Sequence, residues 1–137
     1  MLVQLPPDQE RDDDRLDYLL RGLPEWMHVA VELRDHSWAV DPVFDLLSRH
    51  HASYVVMSGA GLPCVLRATS TTVYVRLHGP DGDHLYAGSY GDADLYWWAD
   101  RIREWHRQHL GVFAYFNNDG YGHAVTNARR LRTLMNW

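Results

Sequence analysis

Apolar residues are concentrated in five short runs along the chain, and each run has the length and composition of a β-strand. Valine, tyrosine, phenylalanine and leucine dominate these runs, and proline, glycine, asparagine or aspartate follow most of them. Such β-branched and aromatic runs, bounded by turn residues, predict strands. The predicted strands are Leu2–Leu5, His28–Arg34, Ser53–Met57, Thr72–Leu77 and Gly111–Phe116.

The stretches between these strands show helical spacing of their apolar residues. Leucines at 16, 19, 20 and 23 follow an acidic first turn, and a helix over 92–109 places Leu95, Trp98, Ile102 and Trp105 on one stripe. Asp41 and Pro42 supply an N-cap and a first-turn proline for another helix. The last helix is predicted to direct Ala124, Ala128, Leu131 and Met135 inward.

Strand and helix are therefore expected to alternate throughout, which makes the strands parallel through right-handed crossovers. This predicts an α/β fold in one domain over 1–137. Two closures fit: an open doubly wound sheet, or part of a β/α barrel. No glycine-rich phosphate fingerprint follows the first strand. Polar residues inside the strands favour the barrel, because they suit its mouth. They are Gln4, Glu32, Arg34 and Arg76.

Composition and charge exclude some classes of protein. The 137 residues are 46% hydrophobic and 23% charged, and the net charge of −5 does not indicate a nucleic-acid partner. The single cysteine rules out an internal disulfide and suits a reducing compartment. No signal peptide or long apolar run is visible, so we expect a soluble, cytoplasmic protein without a membrane partner.

Two pairs of residues near strand ends are the main candidates for chemistry. Arg76 and His78 lie two apart at the carboxyl end of a strand, where parallel sheets place ligands. They suit anion binding by the arginine, with the histidine as acid, base or metal ligand. Glu32 and Arg34 share a strand face in the same way. They suit an acid with its charge partner, or a structural ion pair that plugs a barrel.

Further candidates lie in the loops after the strands. Asn117 and Asn118 suit substrate binding, or only loop and capping chemistry. His36 is placed to line the mouth of the barrel. Tyr86 and Tyr90 are placed to form a lid over a ligand, although a packing role explains the two tyrosines equally well. No histidine spacing indicates a metal site, so none is predicted, and the cofactor stays unknown.

Six segments, in this order, resemble the DUF72 (YecE-like) proteins. They are QLPP at 4–7, ELRDHSW at 32–38, GLP at 61–63, YVRLHG at 74–79, YAGSY at 86–90 and YFNND at 115–119. The resemblance covers essentially the whole chain and implies a TIM-barrel fold without an established activity. It also implies that Glu32, Arg34, Arg76, His78 and Asn117 lie at the catalytic face of that barrel.

The length of the chain departs from the family pattern. Members resemble a whole (β/α)₈ barrel of about 250 residues, and their early glycine-tryptophan, glutamate-asparagine and lysine motifs are not found here. The resemblance therefore implies the last five of eight βα units, an incomplete barrel with unpaired edges at Leu2–Leu5 and Val112–Phe116. We expect the chain to self-associate as a homo-oligomer, or to depend on a missing N-terminal segment.

Two classes of function fit these observations. The first is a TIM-barrel enzyme on a small anionic or phosphorylated substrate, with metal-assisted phosphoester hydrolysis as the test case. In it, Arg34 and Arg76 hold charge, while Glu32 and His78 share proton transfer or a divalent metal. The second is a non-catalytic barrel fragment that binds itself or a missing N-terminal half. Catalysis is expected of a full-length member rather than of this chain alone.

Overall fold

A computed structural model describes residues 1–136 as one parallel sheet covered by helices. The strands lie in chain order, so that each is hydrogen-bonded to the next, and all four pairings are parallel. They are β1 (Leu2–Gln4), β2 (Ala30–Glu32), β3 (Ser53–Ser58), β4 (Thr72–Leu77) and β5 (Gly111–Phe116). The five predicted strands and their parallel arrangement are confirmed, although β1 and β2 are shorter than predicted and β3 is one residue longer.

Four helices accompany the strands, together with short 3₁₀ turns at His36–Trp38 and Gly120–Gly122. The helices are α1 (Asp13–Arg21), α2 (Asp41–Arg49), α3 (Asp92–Arg107) and α4 (His123–Met135). Helix α3 ends two residues earlier than predicted, and His109 lies beyond it with a positive φ of 61°. Its predicted inner stripe is confirmed, because all four residues are buried.

The connection between β3 and β4 contains no helix, so the expected alternation of strand and helix is wrong at this place. Residues 59–71 cross over as an irregular segment. Thr69 fastens this segment to the sheet, because its hydroxyl donates to the Ala52 carbonyl (2.6 Å) and accepts from the Tyr54 amide (2.7 Å). The segment, which also contains Gly59 and Gly61, is therefore held by local side-chain hydrogen bonds where a helix was expected.

The inward face of α4 differs from its prediction at one position. Ala128 is exposed, whereas Asn127 is buried with Ala124, Leu131 and Met135. The amide of Asn127 accounts for this rotation, because it forms hydrogen bonds that an alanine cannot form. Apolar periodicity placed the core face of α4 correctly apart from this buried polar residue.

The two faces of the sheet differ in their cover. Along β4, Val73, Val75 and Leu77 are fully buried, whereas Tyr74 and Arg76 on the opposite face are only half-buried. The fully buried face packs against the helices and forms the core. The opposite, inner face carries the polar side chains, and it is open to solvent along β1 and β5.

Candidate active site at the carboxyl ends of the strands

Two arginines converge on one buried carboxylate at the centre of the inner face. Glu32, the last residue of β2, has no solvent exposure. Arg34 Nε donates to its Oε1 atom at 2.6 Å, and Arg76 Nη1 donates to Oε2 at 2.5 Å. Alternation along each strand brings these side chains to the same face, so residues separated by 44 positions meet in one cluster.

Two amide side chains accept further hydrogen bonds from the arginines. Gln4 Oε1 accepts from Arg76 Nη1 at 2.9 Å and from Arg34 Nη2 at 3.2 Å. Asn117 Oδ1 accepts from Arg76 Nε at 3.2 Å. Gln4 was not predicted as a site residue, although a polar side chain inside the first strand was a signal for it. Its role depends on strand pairing, because Gln4 lies beside Glu32 in the β1–β2 register.

The cluster fixes the charge state of Glu32. Burial alone would raise the pKa of Glu32, but its contacts with His78, Arg76 and Arg34 outweigh burial and lower that pKa to about 2. The carboxylate is therefore ionised at neutral pH. Two positive charges surround one negative charge, and the cluster keeps a net positive charge that suits an anionic ligand.

His78 lies directly beside this cluster. It is fully buried, and its Nε2 atom is 3.3 Å from Glu32 Oε1. Within residues 1–136, neither ring nitrogen has a hydrogen-bond partner of good geometry. The backbone of His78 is fixed beside β3, because its amide donates to the Ser58 carbonyl at 2.7 Å. A buried imidazole without such a partner is unusual and marks a place for a ligand or water.

Gly59 makes room for this histidine. A Cβ atom on Gly59 would lie 2.9 Å from the Cβ atom of His78, closer than real side chains approach. The small residue at the end of β3 therefore allows the imidazole to enter the cluster.

Tyr86 and His36 lie at the rim of the site. The ring of Tyr86 meets the ring of His78 edge to face, with centroids 5.3 Å apart. Burial would lower the pKa of Arg34, but Glu32 and Tyr86 together raise it. His36 is exposed, and its Nε2 atom is 3.0 Å from the Gly61 carbonyl oxygen. The structure thus places Tyr86 against the cluster and His36 at the neighbouring loop.

Tyr90 and Asn118 lie outside the arginine cluster, in a buried polar network that fixes the loop after β4. The Tyr90 hydroxyl accepts from the Gly79 amide (3.0 Å) and donates to Ser58 Oγ (3.1 Å). Asn118 Nδ2 donates to Asn127 Oδ1 at 2.8 Å. Asn127, which was not predicted as a site residue, also pairs with both backbone groups of Tyr90. This network positions the loop that carries Tyr86.

The side chains of the candidate site are not arranged as a metal-binding site. Across residues 1–136, no group of three or more His, Cys, Asp or Glu side chains is arranged to hold a metal ion. His78 Nε2 lies 3.3 Å from Glu32 Oε1, but the arginines already bind both carboxylate oxygens. Chemically, the cluster offers guanidinium groups for an anion and a buried imidazole for proton transfer.

Comparison with known proteins shows the family of the chain. The family model described as "Protein of unknown function DUF72" matches residues 1–137. The chain belongs to the DUF72 family. A search of the curated proteins finds no match.

Solved DUF72 structures share the fold. A DUF72 family protein from Thermotoga maritima is 24% identical, with a TM-score of 0.89 over 99% of this chain. One from Enterococcus faecalis is 20% identical, with a TM-score of 0.87 over 99%. These matches confirm the predicted α/β fold with parallel units of the TIM-barrel type. The chain spans 57% of the former and 60% of the latter.

In the described part of the chain, no helix is both long and apolar enough to cross a membrane.

Proposed function

We propose that this DUF72 chain carries the anion-binding side of a TIM-barrel active site. One observation carries the proposal: Arg34 and Arg76 share a single buried carboxylate at the carboxyl ends of the strands. Active sites of TIM barrels lie at that end. The proposed substrate is a small anionic compound, with a phosphorylated compound as the first candidate.

Arg76 is proposed as the main anion ligand. Its hydrogen bonds to residues 1–136 use Nε and Nη1, so the second terminal nitrogen, Nη2, is the group that would meet the ligand. Arg34 supports the same positive field from β2. Glu32 is ionised and held by both arginines, so its proposed role is to orient them rather than to transfer a proton.

His78 is the proposed acid–base group. In the test case, phosphoester hydrolysis, water attacks phosphorus and the bond from phosphorus to the leaving oxygen breaks. His78 would donate the proton that the leaving oxygen needs. The proton that the water loses passes to a phosphate oxygen and then to solvent, from which His78 regains its own proton. Tyr86, His36 and Asn117 are proposed to contact substrate at the rim, whereas Tyr90 and Asn118 would act by holding the loop and the strand end.

Titration with inorganic phosphate tests the binding part of this proposal. We expect Arg76→Ala to weaken phosphate binding by about tenfold to a hundredfold, which is the loss of one charge-assisted hydrogen bond. Arg107→Ala is the matched control, because Arg107 is an exposed arginine on α3, away from the cluster. Chemical shifts in NMR spectra would report both affinities. Absence of phosphate binding by the wild type, or an equal loss in the control, would contradict the proposal.

Hydrolysis of phenyl phosphate, with and without Mg²⁺ or Mn²⁺, tests the catalytic part, because its leaving oxygen needs a proton. We expect His78→Gln to abolish turnover while phosphate binding persists, because the arginines remain. Circular dichroism melting would verify that the variant folds. Equal turnover by His78→Gln and the wild type would remove His78 from the mechanism.

A further inference from the structure

His78, the proposed acid–base group, is closed off from solvent by residues of this chain. Its side chain has no exposure, and neither ring nitrogen has a hydrogen-bond partner of good geometry within residues 1–136. Arg76, two residues earlier in the chain, is only half-buried. A group that transfers a proton must lie within hydrogen-bond distance of the atom that receives it. An opening is therefore needed before a substrate can reach His78.

Tyr86 forms the outer cover of this histidine. Its ring meets the imidazole edge to face, with centroids 5.3 Å apart, and the residue is at the same time 43% exposed to solvent. The Tyr86 side chain also interacts with Arg34. One exposed ring thus lies between the imidazole and water and contacts two groups of the candidate site.

The backbone of Tyr86 is strained in this closed position. Its φ is 68°, in the left-handed region that bulky residues rarely adopt. Its amide donates to the His78 carbonyl, and the preceding Leu85 packs against Gly59, where a Cβ atom would lie 2.9 Å from Leu85 Cδ2. Such conformations persist only where surrounding contacts hold them, and they concentrate at ligand clamps and switches. The closed position therefore depends on local contacts that a ligand can replace.

Two glycines flank the segment that carries Tyr86. Gly79 has a φ of 110° and Gly88 a φ of 78°, which other residues rarely adopt. In the described part of the chain, residues 80–87 have one backbone hydrogen bond to residues outside the segment, donated by the Tyr86 amide. The base of the segment is fixed, because the Gly79 amide donates to the Tyr90 hydroxyl. Small residues that absorb changes in φ and ψ are typical of hinges, so the segment has the build of a hinged flap.

We propose that Tyr86 is a gate that controls access to His78. In the closed position its ring covers the imidazole. When residues 80–87 swing about Gly79 and Gly88, the ring moves to the rim and the imidazole meets the substrate. The purpose of the gate rests on the proposed function, in which His78 donates a proton, whereas its motion is measured without any anion.

A fixed packing role is the alternative for Tyr86. In that case, His78 would become accessible only when the whole domain unfolds. The two cases differ in the surface that each transition exposes. Opening of a short segment exposes little surface and depends weakly on urea, whereas global unfolding depends steeply on it.

Carbethoxylation by diethyl pyrocarbonate measures the access of solvent to His78. The rate at each histidine is followed by mass spectrometry at urea concentrations below the unfolding transition, and His109, which is exposed, serves as the reference for the reagent. We expect His78 to react slowly, at a rate almost independent of urea. A rate that rises in parallel with global unfolding, as followed by tryptophan fluorescence, would overturn the gate.

Substitutions of the ring identify the cover. Tyr86→Ala should raise the rate at His78 by at least about tenfold, because a local opening is no longer required. Tyr86→Phe keeps the ring and should react as slowly as the wild type. Tyr121→Ala is the matched control, since Tyr121 is an exposed tyrosine with a similar φ of 56° in the loop after β5. Equal rates in Tyr86→Ala and the wild type, or equal increases in Tyr86→Ala and Tyr121→Ala, would contradict cover by Tyr86.

Titration with inorganic phosphate separates this inference from the proposed function. A wild type that binds no phosphate but shows the predicted rates at His78 would contradict the anion site and support the gate. Phosphate binding together with a rate at His78 that Tyr86→Ala leaves unchanged would support the anion site and overturn the gate. Circular dichroism melting would verify that each variant folds.

Discussion

Acidification should destabilise this protein through Glu32 in a defined pH window. The pKa of Glu32 lies at about 2, below its ordinary value of 4.5, because contacts with His78, Arg76 and Arg34 outweigh the effect of burial. A group whose pKa is lowered by folding contributes stability that is fully present above its unfolded pKa. That contribution is lost as the pH falls from about 4.5 toward about 2.

The size of this contribution follows from the difference between the two pKa values. A difference of about 2.5 corresponds to an upper bound of about 3 kcal/mol in the free energy of unfolding. Water at the open inner face screens the ion pairs in part, so we expect about 2 kcal/mol. This is a large share of the stability of a small domain.

Urea unfolding at pH 5 and pH 2, followed by tryptophan fluorescence, measures this contribution. Glu32→Gln should lower stability at pH 5, because it leaves two arginines around a neutral side chain, and it should remove about 2 kcal/mol of the pH dependence. Glu104→Gln is the matched control, since this glutamate pairs with Arg107 on the exposed face of α3. If Glu32→Gln and the wild type lost equal stability between pH 5 and pH 2, the reasoning would be refuted.

Two further substitutions test the loop that follows β4. Gly79 has a φ of +110°, and a Cβ atom there would lie 2.1 Å from the Ala87 carbonyl oxygen. Gly79→Ala should therefore lower the free energy of unfolding by more than about 1 kcal/mol. Gly82→Ala is the control and should change this free energy little, because Gly82 has open space around it. Urea unfolding of both variants tests this prediction. Asn127→Ala should lower the free energy of unfolding by about 1–3 kcal/mol in the same assay, because it leaves the buried Tyr90 amide without its acceptor. A smaller change would show that water replaces the asparagine.

The strands could be predicted because their side chains repeat a simple pattern. In β4, apolar and polar residues alternate, and the structure buries the former against the helices. The crossover over 59–71 could not be predicted, since individual side-chain hydrogen bonds, such as those of the Thr69 hydroxyl, fasten it to the sheet. Asn127 was missed for a related reason: apolar periodicity cannot identify a polar residue that is buried through its hydrogen bonds.

Some residues of the candidate cluster could be singled out from the sequence, but their contacts with one another could not. Arg76 and His78 stood out because they lie at the carboxyl end of one strand, yet their meeting with Glu32 depends on strand order and register. Gln4 joined the cluster through the same register. For Tyr90 the sequence left both a ligand lid and a packing role open. In the structure its hydroxyl is hydrogen-bonded to Gly79 and Ser58 and supports the loop.

A crystal structure of the chain grown with tungstate, a heavy analogue of phosphate, tests the central claim most directly. The account predicts tungstate density within hydrogen-bond distance of Arg76 and close to Arg34 and His78 at the carboxyl ends of the strands. Ordered tungstate elsewhere, with this cluster empty at saturating concentration, would contradict the assignment of an anion site.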